Sequence, residues 1–170
     1  MTTNRTALNG IRNTEERQAE QLAIHSMSMH PVKERELMKR AAGIREETEE
    51  ILARIAYREA LKTQTRNPNW DGAVLSRGNG SVHGPSGKET YYNLNMNGVV
   101  SIMRGMGNTD EYWVRDDGCK MLGDYIMCAA NLSVHPRGSL VESSLGTCIV
   151  CDTGGFASGN SNQLDIAVTW

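Results

Sequence analysis

The sequence has few aromatic residues, little net charge and no long apolar run. Aromatic residues make up 5% and hydrophobic residues 39% of the 170 positions, which supports a compact core that does not include every residue. The formal net charge is -2, so the basic stripe of a general nucleic-acid-binding protein is missing. No apolar run approaches the roughly 18 residues that cross a bilayer. We therefore predict no nucleic-acid partner and no membrane span.

The N-terminal residues also lack a targeting signal. The stretch MTTNRTALNGIRNTEERQAEQ contains no apolar segment of the kind found in secretory signal peptides. We therefore predict cytoplasmic synthesis without a signal peptide. The four cysteines do not by themselves identify the redox compartment.

Residues 1–66 are charged and poor in glycine, and they predict helix. Pro31 favours a helix that begins just after His30, because the missing N–H of proline costs nothing in a first turn. The apolar positions of this helix recur at spacings of three, four and seven, as on one face of a helix. They are Leu37, Ala41, Ile44, Ile51, Leu52 and Ile55. A weaker helix is predicted upstream of Pro31, with apolar positions at Leu8, Ile11, Leu22 and Met29.

Two interpretations of this helical segment remain open. It could be a helical hairpin packed on the main domain. It could instead be a short coiled coil that self-associates or docks on a partner. The apolar stripe extends over too few heptads to decide between them.

The rest of the chain changes in composition and period. Residues 67–89 are rich in Gly, Ser, Asn and Pro, which predicts a flexible linker. Residues 90–170 contain short apolar or alternating runs, which predict the short strands of a small barrel or sandwich. These runs are YYNLNMNGVVSIM, DYIMCAANLSV, GSLVESSLGTCIV and QLDIAVTW. The predicted fold class is therefore a mainly β C-terminal domain with an N-terminal α-helical segment.

One hairpin is predicted in detail. In CKMLGDYIMC, Gly123 and Asp124 form a two-residue turn, and Gly at the first turn position favours type II′. This register pairs Leu122 with Tyr125 and continues until Cys119 lies opposite Cys128.

The stretch CIVCDTGG at 148–155 offers both a cysteine pair and a carboxylate. Cys148 and Cys151 are three apart in a predicted strand, so their side chains should point to opposite faces. A zinc site needs both sulfurs on one ion, with further Cys or His ligands nearby. No second CxxC is present, and His25, His30 and His83 have no ligand-like spacing to a cysteine. We predict packing cysteines and no metal.

The carboxylate interpretation has support from a second acidic residue. Asp152 follows an apolar strand and precedes Thr-Gly-Gly, where backbone N–H groups of a sharp turn should orient it. Asp165 lies within a predicted strand between Leu164 and Ile166. If those two residues face the core, Asp165 faces the other side, where Asp152 could meet it. A buried Asp is costly unless it is paired or its pKa is raised, so we predict that the two acids act together.

Several of these motifs together resemble a known family, the 3D domain, which is named for three aspartates. Residues 136–139 (PRGS) match its Pro-x-Gly-Thr turn, residues 152–155 (DTGG) its Asp-Thr-Gly-Gly motif, and residues 164–166 (LDI) its final motif. TYYNL at 90–94 resembles the opening of its barrel. The resemblance covers residues 90–170. It implies a small six-stranded double-psi β-barrel, similar to the catalytic barrel of membrane-bound lytic transglycosylase A.

The resemblance also implies an activity, a lytic transglycosylase-like enzyme that cleaves the β-1,4 bond between N-acetylmuramic acid and N-acetylglucosamine in peptidoglycan. Asp165 would be the catalytic acid and then the base, with Asp152 as a second catalytic residue. The implied substrate-binding residues are Asn131, Tyr92, Thr153, Gly154 and Gly155. Asn131 departs from the family, because it stands where the first aspartate is expected and cannot exchange a proton. No metal or organic cofactor is implied.

The implied partner is the peptidoglycan glycan strand, which lies outside the cell membrane. Without a signal peptide, delivery would need a phage virion, a holin or another export system. Residues 1–66 would then mediate homo-oligomerisation or docking to a phage tail or baseplate.

Three alternatives to this enzyme remain. One is an aspartic-protease-like dimer through Asp152-Thr153-Gly154, since such proteases use two Asp-Thr-Gly loops that share a proton. Another is a peptidoglycan-binding barrel without catalysis. The third is a structural protein whose helices are the functional part.

Overall fold

The computed structural model describes the backbone of residues 3–170 and the side chains of residues 17, 21 and 31–170. The chain divides into two units, residues 1–54 and residues 55–170. Its N-terminal part is one long helix, and an open mixed sheet of eight strands follows. The prediction of a mainly β C-terminal domain with an N-terminal helical segment is confirmed. The strand number exceeds the six expected, and the sheet does not close on itself.

Helix α1 spans Thr3–Thr63 without a break. The predicted start after His30, the separate upstream helix and the helical hairpin are therefore wrong. Pro31 lies inside the helix, where it removes one hydrogen bond at a cost of about 3 kcal/mol. The helix continues because the φ angle of proline is compatible with it, and because long runs of good helix formers flank Pro31 on both sides. Every side chain from residue 31 to residue 54 is exposed.

The last turns of α1 belong to the second unit. Leu61 is buried there. Arg58 donates hydrogen bonds to Glu111, at 2.6 Å, and to Asp124, at 3.2 Å. These contacts attach residues 55–63 to the β-rich part of the chain.

The eight strands form one sheet in the order β1-β2-β8-β5-β4-β3, and β7 pairs with both β5 and β6. The pairs β2–β8 and β5–β7 are parallel, and the remaining ladders are antiparallel. The strands are β1 (Ser81–Gly84), β2 (Gly87–Tyr92), β3 (Tyr112–Val114), β4 (Lys120–Leu122), β5 (Tyr125–Ala129), β6 (Leu140–Ser143), β7 (Gly146–Asp152) and β8 (Leu164–Ala167). Strand β5 is central, because one edge pairs with β7 and the other is shared by β4 and β8.

Strand β1 and the first part of β2 lie within residues 67–89, where the composition predicted a flexible linker. The expectation of a segment without regular structure is wrong for residues 81–89, which form an antiparallel hairpin. The Gly, Pro and Ser residues at 84–87 make its turn, and Val82 is buried. Turn-forming residues occur both in flexible linkers and in tight hairpins. Here the burial of Val82 indicates a packed hairpin rather than a linker.

A second helix, α2 (Asn97–Gly105), replaces part of a predicted strand. The run YYNLNMNGVVSIM was expected to be extended, and only its first two residues are. The buried residues Met96, Val99 and Met103 are spaced at three and four, so one helical face packs on the sheet. The Asn95 side chain accepts a hydrogen bond from the Asn97 N–H at the start of this helix.

The predicted β4–β5 hairpin is present next to its turn. Met121 pairs with Ile126 and Leu122 with Tyr125. Gly123 has φ +61°, whereas Asp124, like every other non-glycine residue in the described range, does not have a positive φ. Positive φ at the first central residue alone is what a type II′ turn requires.

The outer half of that register is wrong. Cys128 pairs with Ile166 of β8, and Cys119 forms a bridge with Val168. Strand β8 takes over the edge of β5 from Cys128 onward, so the two cysteines are not partners.

Residues of β5 and β7 alternate between two apolar clusters on opposite faces of the sheet. Cys128 and Cys148 lie in one cluster, and Met127 and Cys151 lie in the other. The prediction that Cys148 and Cys151 point to opposite faces is confirmed.

The buried carboxyl group of Glu89 generates a stability prediction. Glu89 is 0% exposed and accepts hydrogen bonds from the Ser144 N–H, at 2.8 Å, and the Ser144 hydroxyl, at 2.5 Å. Glu89→Ala leaves both buried donors unsatisfied, so we expect a loss of about 3 kcal/mol in unfolding free energy. Denaturant titration measures it. Glu49→Ala, on the exposed surface of α1, is the control and should stay within about 0.5 kcal/mol of the unchanged protein. Equal values for the two variants contradict this role of Glu89.

Candidate functional site

The two acidic residues of the sequence motifs lie on either side of one residue of the central strand. Ala129, the last residue of β5, pairs with Asp152 of β7 and with Asp165 of β8. Adjacent strands are about 5 Å apart, so the two aspartate Cα atoms are separated by about 10 Å. The sheet therefore brings Asp152 and Asp165 together at the end of β5.

A register shift puts Asp152 in this position. Cys128 pairs with Val150, and the next residue of β5, Ala129, pairs with Asp152 rather than with Cys151. Such an irregularity inserts one extra residue and re-aims the side chain that follows. Simple alternation along β7 would instead have made Cys151 the partner of Ala129.

Asp165 lies on the sheet face opposite its apolar neighbours. Leu164 and Ile166 are fully buried in one cluster, so Asp165 points to the other side, as predicted. Its half-buried carboxyl group accepts a hydrogen bond from the Thr90 hydroxyl, with 2.7 Å between Oγ1 and Oδ1. Burial raises the pKa of Asp165, and the Thr90 hydrogen bond partly opposes that rise. A raised pKa increases the protonated fraction near neutral pH, which a general acid needs.

Asp152 has a more open environment. It ends β7 and is half-buried, and its backbone oxygen accepts a hydrogen bond from the Ala130 N–H at 3.1 Å. We expected backbone N–H groups of the following turn to hold its carboxylate, and this is wrong. No hydrogen bond to the Asp152 side chain forms within the part of the chain that the structure describes. The carboxylate is instead left available to a ligand.

The residues after Asp152 form an exposed surface beside it. Thr153, Gly154 and Gly155 are exposed, and a short 3-10 helix follows over Gly155–Ser158. Gly154 has an extended backbone with φ -148°, so the expected sharp glycine turn is not formed at this position. The space beside Gly155 is open, since an added Cβ would meet nothing within 4 Å.

Tyr92 contributes a buried hydroxyl group to the same region. The residue ends β2, where it pairs with Ala167 two positions after Asp165. Burial raises the pKa of Tyr92, and the nearby charges of Asp152 and Asp165 raise it further. Its hydroxyl is the one buried side-chain polar atom in the described residues that has no hydrogen-bond partner. An unsatisfied buried hydroxyl is costly, and this one lies close enough to both aspartates for their charges to affect its pKa.

Asn131 is held by the protein. Its amide oxygen accepts a hydrogen bond from the Ser133 N–H at 2.9 Å, and its amide nitrogen donates to the Ala157 carbonyl at 3.0 Å. Asn131 therefore ties the loop after β5 to the 3-10 helix that follows Asp152. One N–H of the amide remains for a substrate.

Sequence reasoning missed three residues that shape this site. The Thr90 hydroxyl donates a hydrogen bond to Asp165, and Gln163 Nε2 donates one to Thr90 Oγ1 at 2.9 Å. Arg137 donates to the backbone oxygen of Cys151. The period-two spacing of Thr90 and Tyr92 in ETYY was a signal that both lie on one face, whereas nothing in the sequence indicated the role of Gln163.

The four cysteines lie in the protein interior. All are buried and free. Burial raises the pKa of Cys151 to about 12, and a hydrogen bond with Cys148 together with burial raises the pKa of Cys128. Protonated thiols are poor nucleophiles and poor metal ligands. Within the described residues, no three His, Cys, Asp or Glu side chains are placed to hold a metal ion.

Two cavities lie away from the acidic pair. One of about 210 Å³ is lined by Tyr57, Arg115, Glu142 and neighbouring residues. The other, of about 380 Å³, is lined by Val74, Trp170 and neighbouring residues. Neither contains an aspartate of the motif, so we place the site by its chemistry rather than by cavity size. Neither helix in the described range is both long and apolar enough to cross a membrane.

The raised pKa of Asp165 predicts how stability depends on pH. A carboxyl group whose pKa is higher in the folded than in the unfolded state loses stability as pH rises from about 3.9 through the folded value. Asp165→Asn removes this loss. The unfolding free energy of the variant minus that of the unchanged protein should therefore increase as pH rises across that window. Denaturant titrations at several pH values measure it. Asp71→Asn, at an exposed position, is the matched control. A pH-independent difference for Asp165→Asn contradicts the assignment.

No protein-family model, curated protein or solved structure matches this chain.

Proposed function

We propose that the chain is a peptidoglycan-cleaving, lytic transglycosylase-like enzyme with Asp165 as its acid and base. The observation that carries the proposal is the pairing of Asp152 and Asp165 with the same residue, Ala129. This pairing joins two separate motifs of the 3D-domain resemblance, DTGG and LDI, in one site. The unsatisfied Tyr92 hydroxyl beside them supports a site that is completed by a ligand.

The reaction needs no water. Protonated Asp165 donates its proton to the glycosidic oxygen, and the bond from C1 of N-acetylmuramic acid to that oxygen breaks. The carboxylate then takes the proton from the C6 hydroxyl of the same sugar, and O6 bonds to C1. The products are a 1,6-anhydro sugar and a free N-acetylglucosamine hydroxyl, and Asp165 is protonated again. One group in both roles benefits from a raised pKa, which burial gives to Asp165.

The other residues of the site would bind and position the sugars. The Asp152 carboxylate has no hydrogen-bond partner within the described chain, so it is free to accept from substrate hydroxyls. Tyr92 would hydrogen-bond the glycan, and the exposed residues Thr153, Gly154 and Gly155 would line its path. Asn131 would contribute its remaining N–H. No metal or organic cofactor takes part in this mechanism.

The double-psi barrel is part of the same proposal. Support comes from the two parallel pairs, β2–β8 and β5–β7, within a small sheet whose other ladders are antiparallel. The turn at residues 136–139 lies along β7, where the Gly138 N–H donates to the Val150 carbonyl and the Val150 N–H donates to the Ser139 carbonyl. Gly138 has φ +89°, which favours glycine at this point of the motif.

Two alternatives predict different outcomes. A peptidoglycan-binding barrel without catalysis would retain insoluble peptidoglycan and release no muropeptides. An aspartic-protease-like dimer would be sensitive to pepstatin and would not need Asp165. The raised pKa of Asp165 and its bond to Thr90 favour the enzyme centred on Asp165 over that dimer.

The activity prediction uses purified peptidoglycan. Asp165→Asn should abolish the release of 1,6-anhydro muropeptides, because the amide keeps the shape but cannot exchange the catalytic proton. Asp152→Asn should lower the rate by about 10²-fold, as expected for loss of a stabilising group. Mass spectrometry of the soluble products measures both effects.

The control is the double variant Cys148→Ala with Cys151→Ala. Its specific activity should stay close to that of the unchanged protein, because both thiols are buried packing groups. Full activity of Asp165→Asn would overturn the proposed role. Products with a reducing muramic acid would mean that water attacks, and the enzyme would be a hydrolase.

We also propose that α1 associates with copies of this chain. Leu37, Ile44 and Ile51 are seven residues apart and are 66%, 65% and 50% exposed. Seven-residue spacing of apolar side chains is the repeat of a coiled coil, and a second copy would bury this face. Docking to a phage tail or baseplate is the competing use of the same face. Delivery to the cell wall by a virion, a holin or another export system belongs to this proposal.

Sedimentation equilibrium tests the association. The double variant Ile44→Glu with Ile51→Glu should shift the protein from an oligomer to single chains, because charged groups at these positions oppose burial. Glu46→Gln with Glu50→Gln, at exposed charged positions of the same helix, should leave the oligomer intact. A single-chain mass for the unchanged protein rules out this association.

A further inference from the structure

The hydrogen bonds around Asp165 form a directed chain of three side chains. Gln163 Nε2 donates to Thr90 Oγ1 at 2.9 Å, and Thr90 Oγ1 donates to Asp165 Oδ1 at 2.7 Å. Gln163 is 6% exposed, and Thr90 and Asp165 are half-buried. Two neighbouring strands position these three hydrogen-bonded side chains. Thr90 on β2 pairs with Asp165 on β8, and Gln163 immediately precedes β8.

The chemistry of the three groups gives this chain its direction. The NH₂ group of Gln163 can only donate, so it occupies an acceptor site on the Thr90 oxygen. The single proton of the Thr90 hydroxyl is then free to point at Asp165. A hydrogen bond whose donor is itself polarised by another bond is strengthened in a low-dielectric site.

The second oxygen of Asp165 has a different environment. No hydrogen bond to Asp165 Oδ2 forms within residues that the structure describes, whereas Oδ1 is held by Thr90. A proton on Asp165 therefore belongs on Oδ2, because Oδ1 already accepts from a hydroxyl. The two oxygens therefore differ in their hydrogen bonding, since only Oδ1 is held by a described side chain.

We propose that Gln163 and Thr90 are positioning residues that hold Asp165 by Oδ1 and present Oδ2 as the oxygen that gives and takes the proton. This inference rests on the proposed function for its catalytic meaning. The positioning of the carboxyl group is a separate claim that does not depend on a substrate. Its consequence is that the Thr90 hydroxyl favours the carboxylate form of Asp165 and so opposes the effect of burial.

The test compares four variants of the full chain. Thr90→Val removes the hydroxyl with little change in volume, and Thr90→Ser keeps it. Gln163→Met removes the donor that directs Thr90. Thr147→Val is the matched control, because the Thr147 hydroxyl bonds Glu142 at the other end of β7, away from the acidic pair.

The first measurement is the titration of the Asp165 carboxyl carbon by NMR, assigned with Asp165→Asn. Thr90→Val should raise the pKa of Asp165, because it loses a donor that favours the carboxylate. Gln163→Met should shift it in the same direction by a smaller amount. Thr90→Ser and Thr147→Val should titrate like the unchanged protein.

The second measurement is the initial rate of muropeptide release as a function of pH. Thr90→Val should slow release by about 10- to 100-fold near neutral pH, because the carboxyl group is no longer held by Oδ1, and this loss of positioning outweighs the higher pKa. It should also shift the pH profile in the same direction as the pKa of Asp165 that NMR measures. Thr90→Ser should restore both the rate and the profile.

The outcomes separate this inference from the proposed function. If Thr90→Val and Gln163→Met both leave the titration of Asp165 unchanged, the positioning role is wrong whatever the activity. If the unchanged protein releases no muropeptides but the titrations shift as expected, the positioning role stands and the proposed function fails. If Thr90→Val does not fold, Gln163→Met alone decides, and an unchanged titration in that variant overturns the inference.

Discussion

The pairing of β5 with β7 on one edge and with β8 on the other determines where the candidate site lies. It brings together residues from three separate parts of the sequence. Ala129 is a small residue between the two aspartates, since Asp152 is its partner on one edge of β5 and Asp165 is its partner on the other. The register shift before Ala129 is part of the same constraint, because without it Cys151 would pair with Ala129 and Asp152 would lie opposite Ala130.

This arrangement places an acidic group in a poorly solvated position. Asp165 is flanked by two fully buried apolar residues, and burial disfavours its charged form. The Thr90 hydroxyl offsets part of that cost with one hydrogen bond. Burial and the Thr90 hydrogen bond therefore act in opposite directions on the pKa of Asp165, and the effect of burial is the larger. Groups with perturbed pKa values of this kind cluster at functional sites, although buried acids also occur as structural elements. Glu89 is an example in the same sheet, since its partner Ser144 satisfies both oxygens.

Helix α1 poses a different physical problem. A helix of this length with an apolar stripe gains little stability alone, because helices draw most of their stability from packing of that stripe. Residues 31–54 have no such packing within their own unit, where every described side chain is exposed. Burial by further copies of the chain would supply the missing stabilisation.

The sequence by itself determined those features that depend on neighbours along the chain. The period-three-and-four stripe predicted helix, the Gly123-Asp124 pair predicted a hairpin turn, and the apolar flanks of Asp165 predicted the face to which it points. Prediction failed where a short motif was overridden by the residues on either side of it or by packing. Pro31 is locally a helix start, but the favourable residues on both sides carry the helix through it. The run NGVVSIM is apolar enough for a strand, but packing of Val99 and Met103 on the sheet makes it α2.

Only the tertiary structure decided the site itself. Which strand lies beside β5 from Cys128 onward depends on long-range pairing, and β8 rather than β4 takes that edge. The hydrogen bond from Thr90 to Asp165 joins residues far apart in sequence, and so does the tether of Asn131 to Ala157. Two acidic motifs in a sequence indicate chemistry, but their distance and partners follow from strand order and register. Those are set by burial of apolar residues over the whole sheet, which no short stretch of sequence contains.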